Sequence, residues 1–425
     1  MTERLLQFIW QFQYFNKGEL TTSAGEKIQI IFPGHYNTNQ GPDFTDAKIK
    51  IGNTIWAGSV ELHLEANDWN KHNHEGDKNY KNVILHVVVN RNTIPVNTIP
   101  VLELKDRISS LLMQRYEELM NAESFIPCQE SISTVKYLVW QSWKERLLAE
   151  RMLRKTKAVE SFQQQNKDHW EESFWWLIAR NFGIKVNADA FEAIAKSISI
   201  NILAKHKNQI HQVEALLFGQ AGLLEQRAIQ KFSHNAEEYP TLLQKEYSFL
   251  QKKYKLKPVH IPVHFLRMRP MNFPTVRLAQ LAVLITESSH LFSKIKEAKS
   301  IEDVKKLFTI TANDYWHYHY KFDEPTEFKK KKLGKAMIEN IIINTVCPVL
   351  FAYGNHHKDE SYKQKALKWL EEVAPESNSI TRGFVNLGIE NNNAFDSQAL
   401  LELKNEYCNK KRCLECSVGN FLLKS

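Results

Sequence analysis

A chain of 425 residues is long enough for two or three domains around a large core. Hydrophobic residues at 43% and charged residues at 24% exclude a disordered tail or a collagen-like chain and describe an ordinary globular protein. The net charge of +8 permits a polyanionic partner without demanding one. The opening Met1-Thr2-Glu3-Arg4-Leu5-Leu6 has no secretory pattern, and no apolar run is expected to reach bilayer-spanning length. Five cysteines, three of them near the C-terminus, argue against a secreted disulfide scaffold. A cytoplasmic location and no membrane partner follow as expectations.

In chain order, Leu5, Leu6, Ile9, Trp10 and Gln13 fall at helical spacing within residues 1–16, ended by Asn16-Lys17-Gly18. Strand-like runs follow at 28–32, 47–51, 55–64, 83–89 and 101–104, and helical spacing returns over 108–120. The expectation is a mixed α+β fold, with an N-terminal mixed β-sheet module over 1–125 followed by a large all-α region. That region divides into a helical domain over 126–308 and a C-terminal helical part over 309–425. Trp140, Trp143, Leu147 and Leu148 form one apolar stripe, and Phe174, Trp175, Leu177 and Ile178 another.

The hairpin over 41–63 is the most telling stretch. Ala47, Ile49 and Ile51 alternate with Asp46, Lys48 and Lys50, the period of a half-buried strand. Gly52-Asn53 suits a two-residue primed turn, where a positive φ is needed. With the turn centred there, Phe44 faces Glu61 and Asp43 faces Leu62. Glu61 and His63 share a face because side chains alternate along a strand. Asp43, Glu61 and His63 are therefore expected together at one end of the hairpin. Two carboxylates can hold Mg2+ or Mn2+, and an imidazole beside them can bind the ion or accept a proton.

The loop that leaves this strand, Asp68 to Asp77, carries His72 and His74, donors that fit a metal, an active-site loop or a polar turn. His86 sits within an apolar strand and reads as a core histidine. A competing acid-x-lysine, Glu103-Leu104-Lys105, needs Asp77 as its upstream acid. Farther on, Arg267, Arg269 and Arg277 flank two prolines before a helix start, a pattern suited to binding phosphate. Basic clusters at 144–157, 252–257 and 329–332 suit either solvated helix faces or a phosphate-backbone groove. Cys408, Cys413 and Cys416 have a spacing that suits Zn2+ or an iron–sulfur cluster with a structural role. The fourth ligand is absent locally; Cys347 is a candidate, or no metal binds. Cys128 reads as a packing residue. No P-loop, dinucleotide fingerprint or nucleophile-elbow serine occurs.

Asp43 followed by Glu61-Leu62-His63 resembles the active site of the PD-(D/E)xK nuclease superfamily, with His63 where that pattern has lysine. The resemblance implies a restriction-endonuclease-like core, a metal-dependent nuclease activity with Asp43 and Glu61 on Mg2+ or Mn2+, and nucleic acid as partner. His63, His72 or His74 would act on the attacking water, and Arg267, Arg269 and Arg277 would hold the backbone. The histidine at 63 also suits a non-catalytic nucleic-acid-binding scaffold on a decayed nuclease fold, or a metal hydrolase of another substrate. Over nearly its whole length the chain also resembles an uncharacterised bacterial family, domain of unknown function 2851. Gly41-Pro42-Asp43-Phe44, Gly58 to His63, Asp68-Trp69 with His72 and His74, Arg269 to Pro274 and the terminal cysteines carry that resemblance.

Overall fold

Helix α1 (Glu3–Phe12) begins where the Thr2 side chain accepts the Leu5 N–H, and ends at Gln13 in the left-handed region. It buries Leu5, Leu6, Phe8, Ile9 and Trp10, as the apolar spacing requires. In this computed structural model, the residues described are 1–72, 77–91, 99–225, 237–288 and 290–424.

The sheet beneath α1 consists of β1 (Ile28–Phe32), β2 (His35–Tyr36), β3 (Phe44–Ile51), β4 (Thr54–Glu65), β5 (Val83–Asn90) and β6 (Val101–Glu103). Its order is β1-β3-β4-β5-β6, with β2 also paired to β3. Pairing is antiparallel from β1 through β4 and parallel from β4 through β6. The change of sense follows from the connections. Gly52, at φ 59°, closes a two-residue hairpin between β3 and β4. The longer crossover from β4 to β5 returns the chain in parallel and contains the short helix α2 (Asp68–Lys71). Residues Val83 to Val88 are all buried, as expected of an apolar strand covered on both faces. Helix α3 (Ser110–Asn121) buries Leu112, Tyr116 and Leu119 in the same core as α1.

The chain divides into two units. Unit 1 comprises Met1–Lys144, Asn386–Gly388 and Glu402–Ser425; unit 2 comprises Glu145–Val385 and Ile389–Leu401. The C-terminal segment therefore belongs with the sheet: Cys413 and Leu423 share the core of Leu5, Ile9, Val60 and Leu102.

Unit 2 is helical among its described residues, with a core that includes Phe174, Trp175, Phe191, Phe218, Leu278 and Trp316. One continuous stretch in it, Lys335–His357, is long and apolar enough to cross a membrane, contrary to the expectation from sequence. Within it the π-helical turn Ile342–Val346 lets the helix run on through Pro348. Of its most apolar window 72% is buried, and Ile341, Ile342, Val346 and Leu350 belong to the core of unit 2. The basic clusters are not uniform solvated faces either. Lys144 and Lys331 are buried and Lys155 is half-buried, and desolvation pulls Lys155 down to about 7.

Candidate metal centre

The site sits where β3 begins beside the middle of β4. From Ile51↔Thr54 to Ala47↔Gly58 the register is the one the Gly52 turn dictates. It then slips by one, so that Phe44 pairs with Val60 and not with Glu61. The slip is a bulge: Asp46 takes φ 58°, a left-handed conformation that Asp tolerates better than most residues. Asp43 is thereby brought opposite Glu61 in place of Leu62.

Hydrogen bonds lock the two acids. Asp43 N–H donates to Glu61 Oε2 at 3.0 Å, and Leu62 N–H donates to Asp43 Oδ2 at 3.1 Å. Gln7, on α1, donates its Nε2 to Asp43 Oδ1 at 2.7 Å. Burial raises the pKa of both acids, further for Glu61, where the Asp43 charge adds to it; the Leu62 N–H and Gln7 work against the rise at Asp43. Glu3 contributes a third negative charge. Tyr80 is pushed up to about 12 by burial and then by the charges of Glu61 and Asp43.

His63 is 1% exposed and links the acids to two further imidazoles. Its Nδ1 is 2.9 Å from His86 Nε2, and its Nε2 is 3.2 Å from His72 Nδ1 and 3.6 Å from Glu61 Oε1. His72 follows α2 directly, and α2 is anchored by buried Trp69, whose ring lies 5.2 Å from His86. Glu3, His63 and His72 each offer a ligand atom, all within 4.8 Å of one another. An ion with bonds of about 2.0–2.2 Å bridges such a set after small adjustments. Two neighbouring carboxylates whose pKa values burial raises, beside two imidazole nitrogens, fit a divalent metal, which would offset the cost of burying their charge.

Asp43, Glu61, His63 and His72 are thus brought together; His74 lies outside the described residues. Glu103 and Lys105 line a different cleft, and Glu103 accepts the Arg91 N–H at 3.0 Å. Asp77, which that alternative needs, is not among the residues lining that cleft and caps the Lys78–Tyr80 turn. Glu3, Gln7 and Tyr80 escaped the sequence reading; His86, read there as a core histidine, is fully buried and joins the site through His63. Glu3 and Gln7 are four apart on one helix face, but nothing local says that this face meets the hairpin end.

In unit 2, Arg267 and Arg269 are exposed, whereas Arg277 is buried. Arg277 donates to Asn272 Oδ1 at 2.6 Å and to Gln280 Oε1 at 3.0 Å. Its Nε has no partner among the described residues, and burial lowers its pKa to about 10. It lines a cleft of about 580 Å3 with Arg180, Lys185, Asn272, Asn340 and Asn344. In unit 1, Cys408, Cys413 and Cys416 gather with Cys128. Cys347 belongs to unit 2, where it is buried near Lys155.

No curated protein and no solved structure matches this chain. One family model does, over residues 3–379, which takes in every member of the carboxylate–histidine cluster and Arg277. The chain therefore belongs to the family described as protein of unknown function, DUF2851.

Proposed function

We propose that unit 1 is a metal-dependent phosphodiesterase of the nuclease type, with Glu3, Asp43, Glu61, His63 and His72 forming its centre. The observation that supports this reading is the Asp43–Glu61 lock with His63 and His72 beside it. Two carboxylates at neighbouring strand positions are the feature shared with restriction-endonuclease-like cores. The imidazoles make the set richer in nitrogen than an all-oxygen Mg2+ site and favour Mn2+. A bound ion would lower the pKa of a water and offset charge developing on the phosphate. His72, at the exposed edge of the group, would position that water or take its proton. His63 would keep its proton on Nδ1, directed at His86, and present an unprotonated Nε2 to the ion. Gln7 holds Asp43 in place. Arg267, Arg269 and Arg277 are assigned to phosphate groups of the nucleic acid, Arg277 as a buried seat without a carboxylate among its bonds.

A second reading, a metal hydrolase of a smaller substrate, is favoured by the burial of His63 and Glu61, 1% and 6% exposed. Cleavage of labelled single- and double-stranded DNA and RNA, with Mn2+ or Mg2+, separates the two. Metal-dependent cutting that Glu61→Ala abolishes supports the nuclease. Mn2+ binding without cutting of any of the four substrates refutes it and turns the search to small phosphoesters. Salt-sensitive nucleic-acid binding equal in both proteins, without metal binding, leaves a scaffold.

A further inference from the structure

Cys128 stands at the head of the 3-10 turn Gln129–Thr134, about 280 positions before Cys408. Cys408 ends the π-helical turn Leu403–Cys408, Cys413 opens the turn Cys413–Glu415, and Cys416 closes it. All four belong to unit 1. Every pair of the four sulfurs lies close enough for the ionisation of one to oppose that of the other. Burial raises the pKa of all four thiols, and repulsion by neighbouring sulfurs adds to the rise at Cys128, Cys408 and Cys413, taking Cys128 and Cys413 to about 12.

Hydrogen-bond donors nevertheless converge on one of these sulfurs. The N–H groups of Val418 and Gly419, in the first turn of the final helix Ser417–Lys424, donate to the Cys416 sulfur and oppose its upward shift. Their approach requires glycine at 419, where a Cβ would stand 2.2 Å from the Cys413 carbonyl oxygen. The charge of Lys404 acts on Cys408 and that of Lys411 on Cys413, each favouring the thiolate. Cysteines that only fill space need neither N–H donors on sulfur nor nearby ammonium groups.

We infer that Cys128, Cys408, Cys413 and Cys416 are the four ligands of an iron–sulfur cluster that ties the C-terminal segment to the rest of unit 1. A single zinc draws four sulfurs to bonds of about 2.3 Å, which sets them less than 4 Å apart. Among the described residues, the group of three or more donors within 4.8 Å of one another is Glu3, His63 and His72, so the sulfurs are spread more widely. That spread suits several irons. The cluster closes a loop that contains all of unit 2, so it ties together the first and last of the three chain segments from which unit 1 is built. It also bears on the metal centre, since the C-terminal segment touches α1 and the turn that follows it: Arg4 pairs with Glu415, and Tyr14 donates to Asn420 Oδ1 at 3.1 Å.

The test uses the full chain purified without oxygen, with metal and acid-labile sulfide measured beside the visible spectrum. Wild type is expected to carry about two to four irons with equal sulfide and a broad absorption near 400 nm. Cys128→Ser is expected to lose most of that iron, and Cys347→Ser to keep it. Zinc without sulfide, or no metal in wild type, overturns the proposal without any variant having to fold. Iron retained in full by Cys128→Ser overturns the ligand assignment. Neither result depends on nuclease activity, so failure here is distinguishable from failure of the functional reading.

Discussion

Asp43 and Glu61 are bound to each other's strands: Glu61 accepts the Asp43 N–H at 3.0 Å, and Asp43 accepts the N–H of Leu62, the residue after Glu61. Each carboxylate thus spends one oxygen on fixing the other's backbone and keeps its second for Gln7, His63 or an ion. The bulge at Asp46 makes the reciprocity possible.

Stability without metal should fall as pH rises from about 5 to 8. The folded pKa of both acids lies above the unfolded carboxylate range, so the folded state binds more protons across that interval. Urea midpoints taken across the range should therefore decline, and Glu61→Gln should flatten the decline. Saturating Mn2+ should also flatten it, because the ion replaces the protons. An unchanged slope in Glu61→Gln would refute the assignment.

Binding of Mn2+ should release protons near neutral pH. Calorimetry in two buffers of different ionisation enthalpy reads this directly, with apparent heats that differ by the number of protons released times the difference in ionisation enthalpy. Equal heats in both buffers would show that Asp43 and Glu61 are not displaced from their protons.

Gln7→Ala removes the clamp on Asp43 without touching the core face of α1. Mn2+ affinity should drop about 10-fold or more, with the thermal midpoint nearly unchanged. A large loss of stability with unaltered affinity would make Gln7 a structural residue only.

Asp46→Val should cost about 1–2 kcal/mol in urea denaturation, because a β-branched residue resists the left-handed conformation. Asp46→Gly should be neutral or slightly stabilising. Weaker Mn2+ binding is expected with valine alone, since only that change pulls Asp43 out of register with Glu61.

Arg277→Met should abolish any stabilisation by inorganic phosphate, which is expected to raise the melting temperature of wild type. The seat predicts this because Arg277 is buried on two neutral amide partners with its Nε unpartnered among the described residues. Equal stabilisation of both proteins would place the phosphate elsewhere.

By itself the sequence determined what depends on short-range periodicity and turn chemistry. Alternation marked β3 and β4, Gly52 marked their hairpin, the apolar run marked β5, and helical spacing marked α1 and α3. It also brought Asp43, Glu61 and His63 to one end of the hairpin, since alternation and a known turn leave little freedom. Tertiary structure decided the rest. The pairing of Asp43 with Glu61 depended on a one-residue bulge, and Asp46 reads locally as an ordinary exposed strand residue. Glu3 and Gln7 entered the site because α1 buries its apolar face on the sheet, which aims its polar face at the hairpin end. His86 became the partner of His63 through parallel pairing across a connection whose length fixes no register. The cysteine that lies near Cys408, Cys413 and Cys416 is Cys128, and neither its spacing nor its sequence neighbours singled it out from Cys347. Local rules act over a few residues, whereas these contacts join positions tens to hundreds apart, where only the packing of buried faces selects the partner.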